Sequence, residues 1–330
     1  MGGKTVLLVV AALTVLSLRV QADINADGAA AMTAIRNNNA SLALQLINNN
    51  PALASWSDAD NQTLLILASA MGMSSVVQRL VDLGANLEAT TNQQPGATPL
   101  ILATRSCCTE CISALVKAGS NVNAQNSLGW SPLILAAWYC ESQEQVLLDA
   151  GANINLTDNS GNTALIIGAY FGTTYSIHTL MAAGVNINAQ NMFGATAVMA
   201  ISLDGSPNLA ALLTYCPDLT LTTSDGASVL CEAVVMCESA VPLLIKAGAN
   251  VNLADNDGST AAMSAVFDGA SALPELLAYC PDLTLTDNNG RTALQIMISQ
   301  GFSVNAALIQ AKLDNMCSFG NTNYSLGAVR

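Results

Sequence analysis

"GWSPLILAA", residues 129–137, reads as a tight turn that passes at once into a helix. Gly129 supplies the backbone freedom that such a turn needs. Ser131 is placed to cap the helix, and Pro132 takes its first position, where a missing N–H costs nothing. An apolar helix follows. The same frame stands upstream as "GATPLILA" (96–103) and downstream as "GNTALIIGA" (161–169).

The frame recurs along the chain. Gly96, Gly129, Gly161, Gly194, Gly226, Gly258 and Gly290 are spaced by 32 or 33 residues. Two residues after each comes Thr98, Ser131, Thr163, Thr196, Ser228, Thr260 or Thr292. Thr63 begins one more copy, with Asn61 in the glycine slot. A fixed period of this length is the signature of a solenoid. A second helix in each unit carries apolar residues at helical spacing, as in Ile112, Leu115 and Val116. It stops at a glycine such as Gly84, Gly119, Gly151, Gly184 or Gly248. An extended segment, "NVNAQN" (121–126) in one copy, returns to the next turn.

These motifs, with "GANINLTD" (151–158) between units, closely resemble ankyrin repeats. The resemblance covers residues 51–313, after a degenerate N-terminal capping repeat at 23–50 and before a tail at 314–330. It implies an all-α solenoid of helix-turn-helix units joined by β-turn or hairpin loops, with about eight repeats. Two departures stand out. The family usually has His three residues after the Thr, whereas this chain has Ile66, Ile101, Ile134, Ile166, Met199, Cys231, Met263 and Gln295 there. Apolar packing is therefore expected to take over from a hydrogen bond. The second departure is a longer period: "LLTYCPDLTLT" (212–222) returns as "LLAYCPDLTLT" (276–286), with Cys216 and Cys280 in the glycine slot.

Composition narrows the function. Charged residues make up 10% of the chain, and the net charge is −13. Nucleic acid and anionic membrane surfaces need clustered Lys and Arg, so neither is an expected partner. Residues 1–22 read as a secretory signal: Lys4, then the apolar "TVLLVVAALTVLSL" (5–18), then Val20 and Ala22 before a cut at Asp23. Fourteen apolar residues are short for a span of about 20. The expected product is secreted and not inserted in a membrane; the alternative is tethering by an uncleaved signal anchor.

In ankyrin-like stacks, partners usually bind the concave side, which is built from turn tips and the ends of the first helices. Counted from the repeat Thr or Ser, those slots are −4, −3, −1, +7 and +8. Trp130 falls at −1, and Trp138 and Tyr139 at +7 and +8, of one repeat. Tyr170 and Phe171 hold +7 and +8 of the next, and Met192 and Phe193 hold −4 and −3 of the one after. In a chain only 4% aromatic, this concentration is expected to form one partner-binding patch.

Nine cysteines in a secreted chain point to disulfides. Cys107, Cys140 and Cys237 share slot +9, but equivalent atoms in adjacent repeats lie about 10 Å apart, beyond the roughly 7 Å a bridge allows. Cys140 is expected to reach Cys107, Cys108 or Cys111 only if a turn bends; Cys280 with Cys317 is a further pairing. "SCCTEC" (106–111) with Cys140 has irregular spacing for zinc, and buried structural thiols are the plainer reading. His178, the one histidine, falls on a solvent-facing slot with no nucleophile placed to use it. Asp255-Asn256-Asp257-Gly258 opens like a calcium loop, but Val266 stands where the final Glu is required. Sequons occur at Asn39, Asn61, Asn155 and Asn323. The expected function is non-catalytic protein binding without a cofactor or metal, with a secreted effector or inhibitor, or a metal or enzymatic role for the cysteines at 107–140, as alternatives.

Overall fold

The computed structural model describes residues 22–202, 208–265 and 272–318. The signal segment, apart from Ala22, and the sequon at Asn323 lie outside them. The chain divides into two units, one running through Val185 and the other from Asn186.

The first unit opens with α1 (residues 22–36) and α2 (Ala40–Asn49). Four helix pairs follow: α3 (Leu64–Ala70) with α4 (Ser74–Asp82), α5 (Pro99–Arg105) with α6 (Thr109–Lys117), α7 (Pro132–Tyr139) with α8 (Glu144–Asp149), and α9 (Ala164–Phe171) with α10 (Thr174–Ala182). Trp56, the third tryptophan, packs against α1 of the opening cap. Its indole donates to Asn25 Oδ1 at 3.0 Å and lies where a side chain at Gly28 of α1 would have to be.

The second unit continues the pattern with α11 (Ala197–Ser202), α12 (Asn208–Leu213), α13 (Val229–Met236), α14 (Val241–Lys246), α15 (Ala261–Ser264), α16 (Leu273–Ala278), α17 (Ala293–Ser299) and α18 (Ser303–Ser318). The last helix carries the ordered fold past residue 313, the end assigned to the array from sequence. Among the described residues, β structure is confined to isolated bridges such as Thr157 with Thr163 and Thr222 with Ser228, which close the turns.

Local chemistry fixes most of the first helices, Thr260 at the start of α15 making no side-chain cap. The hydroxyls of Thr63, Thr98, Ser131, Thr163 and Ser228 accept from the backbone N–H three residues on. Such a cap contributes about 1 kcal/mol. Gly129 has φ +77°, and a Cβ there would lie 2.7 Å from the Asn159 backbone nitrogen, so the turn tips are packed too closely for any side chain. Cys216 and Cys280 end their helices in the same left-handed backbone as Gly84, with φ of 52° and 53°.

The slot that holds His in the family is buried here at Ile66, Ile101, Ile134, Ile166, Met199, Cys231 and Met263. Ile66 and Ile101 join Ala97, Leu102 and Leu135 in one apolar cluster between repeats. Gln295 differs: it is exposed and completes a capping box with Thr292. Burial is nonetheless only half of what ties the repeats. At the turn tips, Asn159 donates its backbone N–H to Leu128 and its side-chain amide to Ser127. Asn256 and Asn288 repeat that double contact. The Gln125 amide bonds both Gly129 and, one repeat on, Thr157; Gln190 does the same with Gly194 and Thr222. At the base, Asn123, Asn188 and Asn252 accept from Asn153, Asp218 and Asp282. Short amides thus link neighbouring repeats along the exposed turns, and at the base Glu88 plays the same part for the Asn121 N–H.

Candidate functional site

Helix α7 places Trp138 and Tyr139 in its last turn, next to α9 with Tyr170 and Phe171 in its own. The two helices approach closely because α9 carries glycines where they meet. A Cβ on Gly168 would lie 2.6 Å from Ser176 Oγ and 3.4 Å from the Ala137 side chain, and one on Gly172 would lie 2.7 Å from the Ala137 carbonyl.

That approach assembles the rings. Trp138 stacks on Tyr139 with centroids 4.5 Å apart and on Phe171 at 4.6 Å, with interplanar angles of 14° and 22°. Trp130 meets Trp138 edge-on at 4.9 Å, and Tyr170 meets Phe171 edge-on at 4.5 Å. Both geometries are favoured for aromatic pairs. Five rings from two repeats therefore form one continuous chain. Trp130 and Trp138 are half-buried, while Tyr139 and Phe171 are each 48% exposed and Tyr170 38%. Met192 and Phe193 belong to the second unit, on its first turn, and are 64% and 59% exposed.

Two further residues border the rings. Leu128, 52% exposed, and Arg105 line a recess of about 190 Å³ beside Trp130, floored by Ile101, Leu102 and Leu135. Leu128 occupies slot −3 and Arg105 slot +7 of their repeats, the same slots that hold Phe193 and Trp138.

The cysteines follow the rings. Cys107 and Cys140 come within disulfide distance, with Cα atoms 5.5 Å apart, and Cys108 and Cys111 do so at 5.2 Å. The 10 Å spacing expected for slot +9 does not apply. Helix α7 runs one residue longer than α5, so Cys140 is the C-cap of α7 whereas Cys107 lies one residue beyond the cap of α5. The backbones accordingly differ: φ is +56° at Cys107 and −148° at Cys140. Cys280 is exposed and pairs with no cysteine among the described residues, and the side chain of Cys317 lies outside them. Burial pushes the Cys231 thiol up, so it stays protonated at neutral pH.

The other chemical candidates are absorbed by the fold. Asp158, Asp255 and Asp287 each accept two backbone N–H groups of their own turn. Among the described residues, no group of three or more His, Cys, Asp or Glu is arranged to hold a metal ion. His178 is exposed on α10. Asn39 caps α2, Asn61 takes a left-handed turn conformation, and Asn155 is exposed. Among the described residues, no helix is long and apolar enough to cross a membrane.

A family model for ankyrin repeats, in three copies, matches residues 87–158, the stretch that includes Arg105, Trp130 and Trp138. No curated protein matches the chain. The chain contains ankyrin repeats at 87–158, and the helix pairs, turns and caps described above repeat their pattern on either side. Proteins built from these repeats generally serve as non-enzymatic scaffolds for protein–protein interaction, and that is the class of function the fold supports.

Proposed function

We propose that this chain is a secreted binding protein that holds a protein partner against the ring chain of its first unit. Trp130, Trp138, Tyr139, Tyr170 and Phe171 make the contact. The observation that carries the reading is the five-ring chain with its three outer rings substantially exposed. Each ring buries about 150–250 Å² when fully covered. Covering a further 80 Å² or so on each of five, at roughly 25 cal/mol per Å², yields about 10 kcal/mol. Association costs of about 4–15 kcal/mol consume most of it, so the rings need help from their border. The recess beside Trp130, with Arg105 among its walls, can seat one partner side chain. Secretion rests on the apolar run at 5–18 and the small residues before Asp23.

The test is affinity capture from the secreted fraction with the wild-type chain beside Trp138→Ala and Tyr170→Ala, each checked for cooperative unfolding. A specific partner that both folded variants lose supports the reading. Retention of the same partner by both overturns it.

A further inference from the structure

The ring chain is tied to a cysteine bridge. Cys140 follows Trp138 and Tyr139 directly and caps α7, with its backbone N–H bonded to Ala136 at 2.8 Å. Its sulfur is joined to Cys107 of the preceding repeat, 33 residues away. Cys107 Sγ also lies 3.5 Å from the Tyr139 carbonyl oxygen. One covalent link thus holds the end of the helix that carries the central indole.

Cys107 takes a backbone conformation that glycine adopts more easily. Its left-handed φ of +56° is strained for a side-chain-bearing residue, and the slot one repeat earlier is Gly72, at +67°. The two ends of the bridge also differ in access. Cys107 is exposed and Cys140 is buried. The second pair, Cys108–Cys111, is buried at both ends and lies within the first turn of α6.

We infer that Cys107–Cys140 is a reducible site for a dithiol, and that reduction releases the end of α7 and disorders the stack around Trp138. A thiolate of the dithiol attacks the exposed Cys107 Sγ. The S–S bond breaks, and Cys140 leaves as a thiolate that takes up a proton. The second thiol of the reductant then attacks the mixed disulfide, forms its own intramolecular disulfide and releases Cys107. Two electrons and two protons pass from the dithiol to the protein. The stacking consequence stands on the geometry alone; loss of partner binding on reduction rests on the reading of the rings as the partner face.

The full chain carrying Trp56→Phe, so that only Trp130 and Trp138 report, is treated with dithiothreitol while thiols are counted. Near-ultraviolet circular dichroism and tryptophan emission are followed alongside, with far-ultraviolet dichroism monitoring the fold. Two thiols should appear in a first, fast phase, and the aromatic dichroism should fall at least twofold with helix content retained. A Cys107→Ala/Cys140→Ala variant should show the low signal from the start and no fast phase; Cys108→Ala/Cys111→Ala should keep both responses. Unchanged aromatic signals after two thiols have been released overturn the inference, as does a fast phase that survives in Cys107→Ala/Cys140→Ala. Because these signals are read without a partner, they separate this result from the capture experiment.

Discussion

Phe171 reaches across from its own repeat to lie on the indole of Trp138, with ring centroids 4.6 Å apart. The approach of α9 to α7 that allows the contact runs past Gly168. Gly168→Ala adds a methyl group 2.6 Å from Ser176 Oγ and within 3.4 Å of Ala137, so either the Ser176 hydroxyl turns away from Glu144 or α9 shifts from α7 or α10. Overpacking of this kind costs about 1–3 kcal/mol. Urea unfolding should show that loss, together with a fall in aromatic dichroism. A variant of unchanged stability and signal means that Gly168 does not set the stack.

Centre and edge of the ring chain should differ. Trp138 contacts Trp130, Tyr139 and Phe171, whereas Tyr170 contacts Phe171 alone among the rings. Trp138→Ala should therefore destabilise by about 2–3 kcal/mol, below the 3–5 kcal/mol of a fully buried Trp. Tyr170→Ala should cost less than about 1 kcal/mol. Chemical denaturation of the two variants checks the order, and a Tyr170→Ala loss equal to that of Trp138→Ala contradicts it.

The two cysteine pairs should contribute unequally. A cross-link stabilises by restricting the unfolded chain, and more so for a longer loop. Cys107–Cys140 closes 33 residues and Cys108–Cys111 only 3. Removing the first by Cys107→Ala/Cys140→Ala should cost about 2–4 kcal/mol, offset in part by relief at position 107, and removing the second distinctly less. Denaturation midpoints of the two double variants decide it.

What the sequence made legible is what repetition makes legible. The period, the Thr or Ser cap and the turn glycine recur too often to be local accidents, and the ring slots follow from them, since +7 and +8 fall at the open end of each first helix. Leu128 and Arg105 sit in the same slots, yet a reading that follows the aromatic cluster and Met192 passes over them. The Cys107–Cys140 distance was hidden for another reason. One extra residue in α7 changes a cap into a cross-link, and helix ends are the least readable feature of a sequence. The Asn and Gln ladders were hidden because a turn Asn looks alike whether it bonds its own loop or its neighbour's.

The His slot turns that lesson into a prediction. Ile134→His restores the residue usual in the family, but Ile134 is only 1% exposed and the turns are already joined by Asn159 and Gln125. An imidazole there gains no vacant partner and loses apolar burial. The variant should lose about 2–4 kcal/mol, and more at acidic pH, where His charges. Equal or greater stability at neutral pH contradicts this account of the slot.

Acid should act on the second unit through four carboxyl groups that do not all pull the same way. Asp218 and Asp282 are held below the ordinary range by hydroxyl and backbone bonds from Thr220 and Thr284. Asp287 is held below it by the Arg291 guanidinium, 2.7 Å away, and by the Arg291 backbone N–H. A carboxyl whose folded value is depressed adds stability that is present above its unfolded value, near 3.9, and is lost as pH falls through the folded value. Glu232 runs the other way: burial first, then the charge of Asp225, pushes it up. Its contribution is full below an unfolded value near 4.3 and disappears as pH rises through the folded one, leaving a cost at neutrality. Glu232→Gln should therefore raise the melting temperature at about pH 7 and change little near pH 3, below its unfolded value. Asp287→Asn should lower it at about pH 7, with the gap closing as the wild type is acidified. Melting curves across that range test both signs, and a Glu232→Gln variant less stable at neutral pH than the wild type would show that the carboxylate, not the acid, is the form this fold prefers.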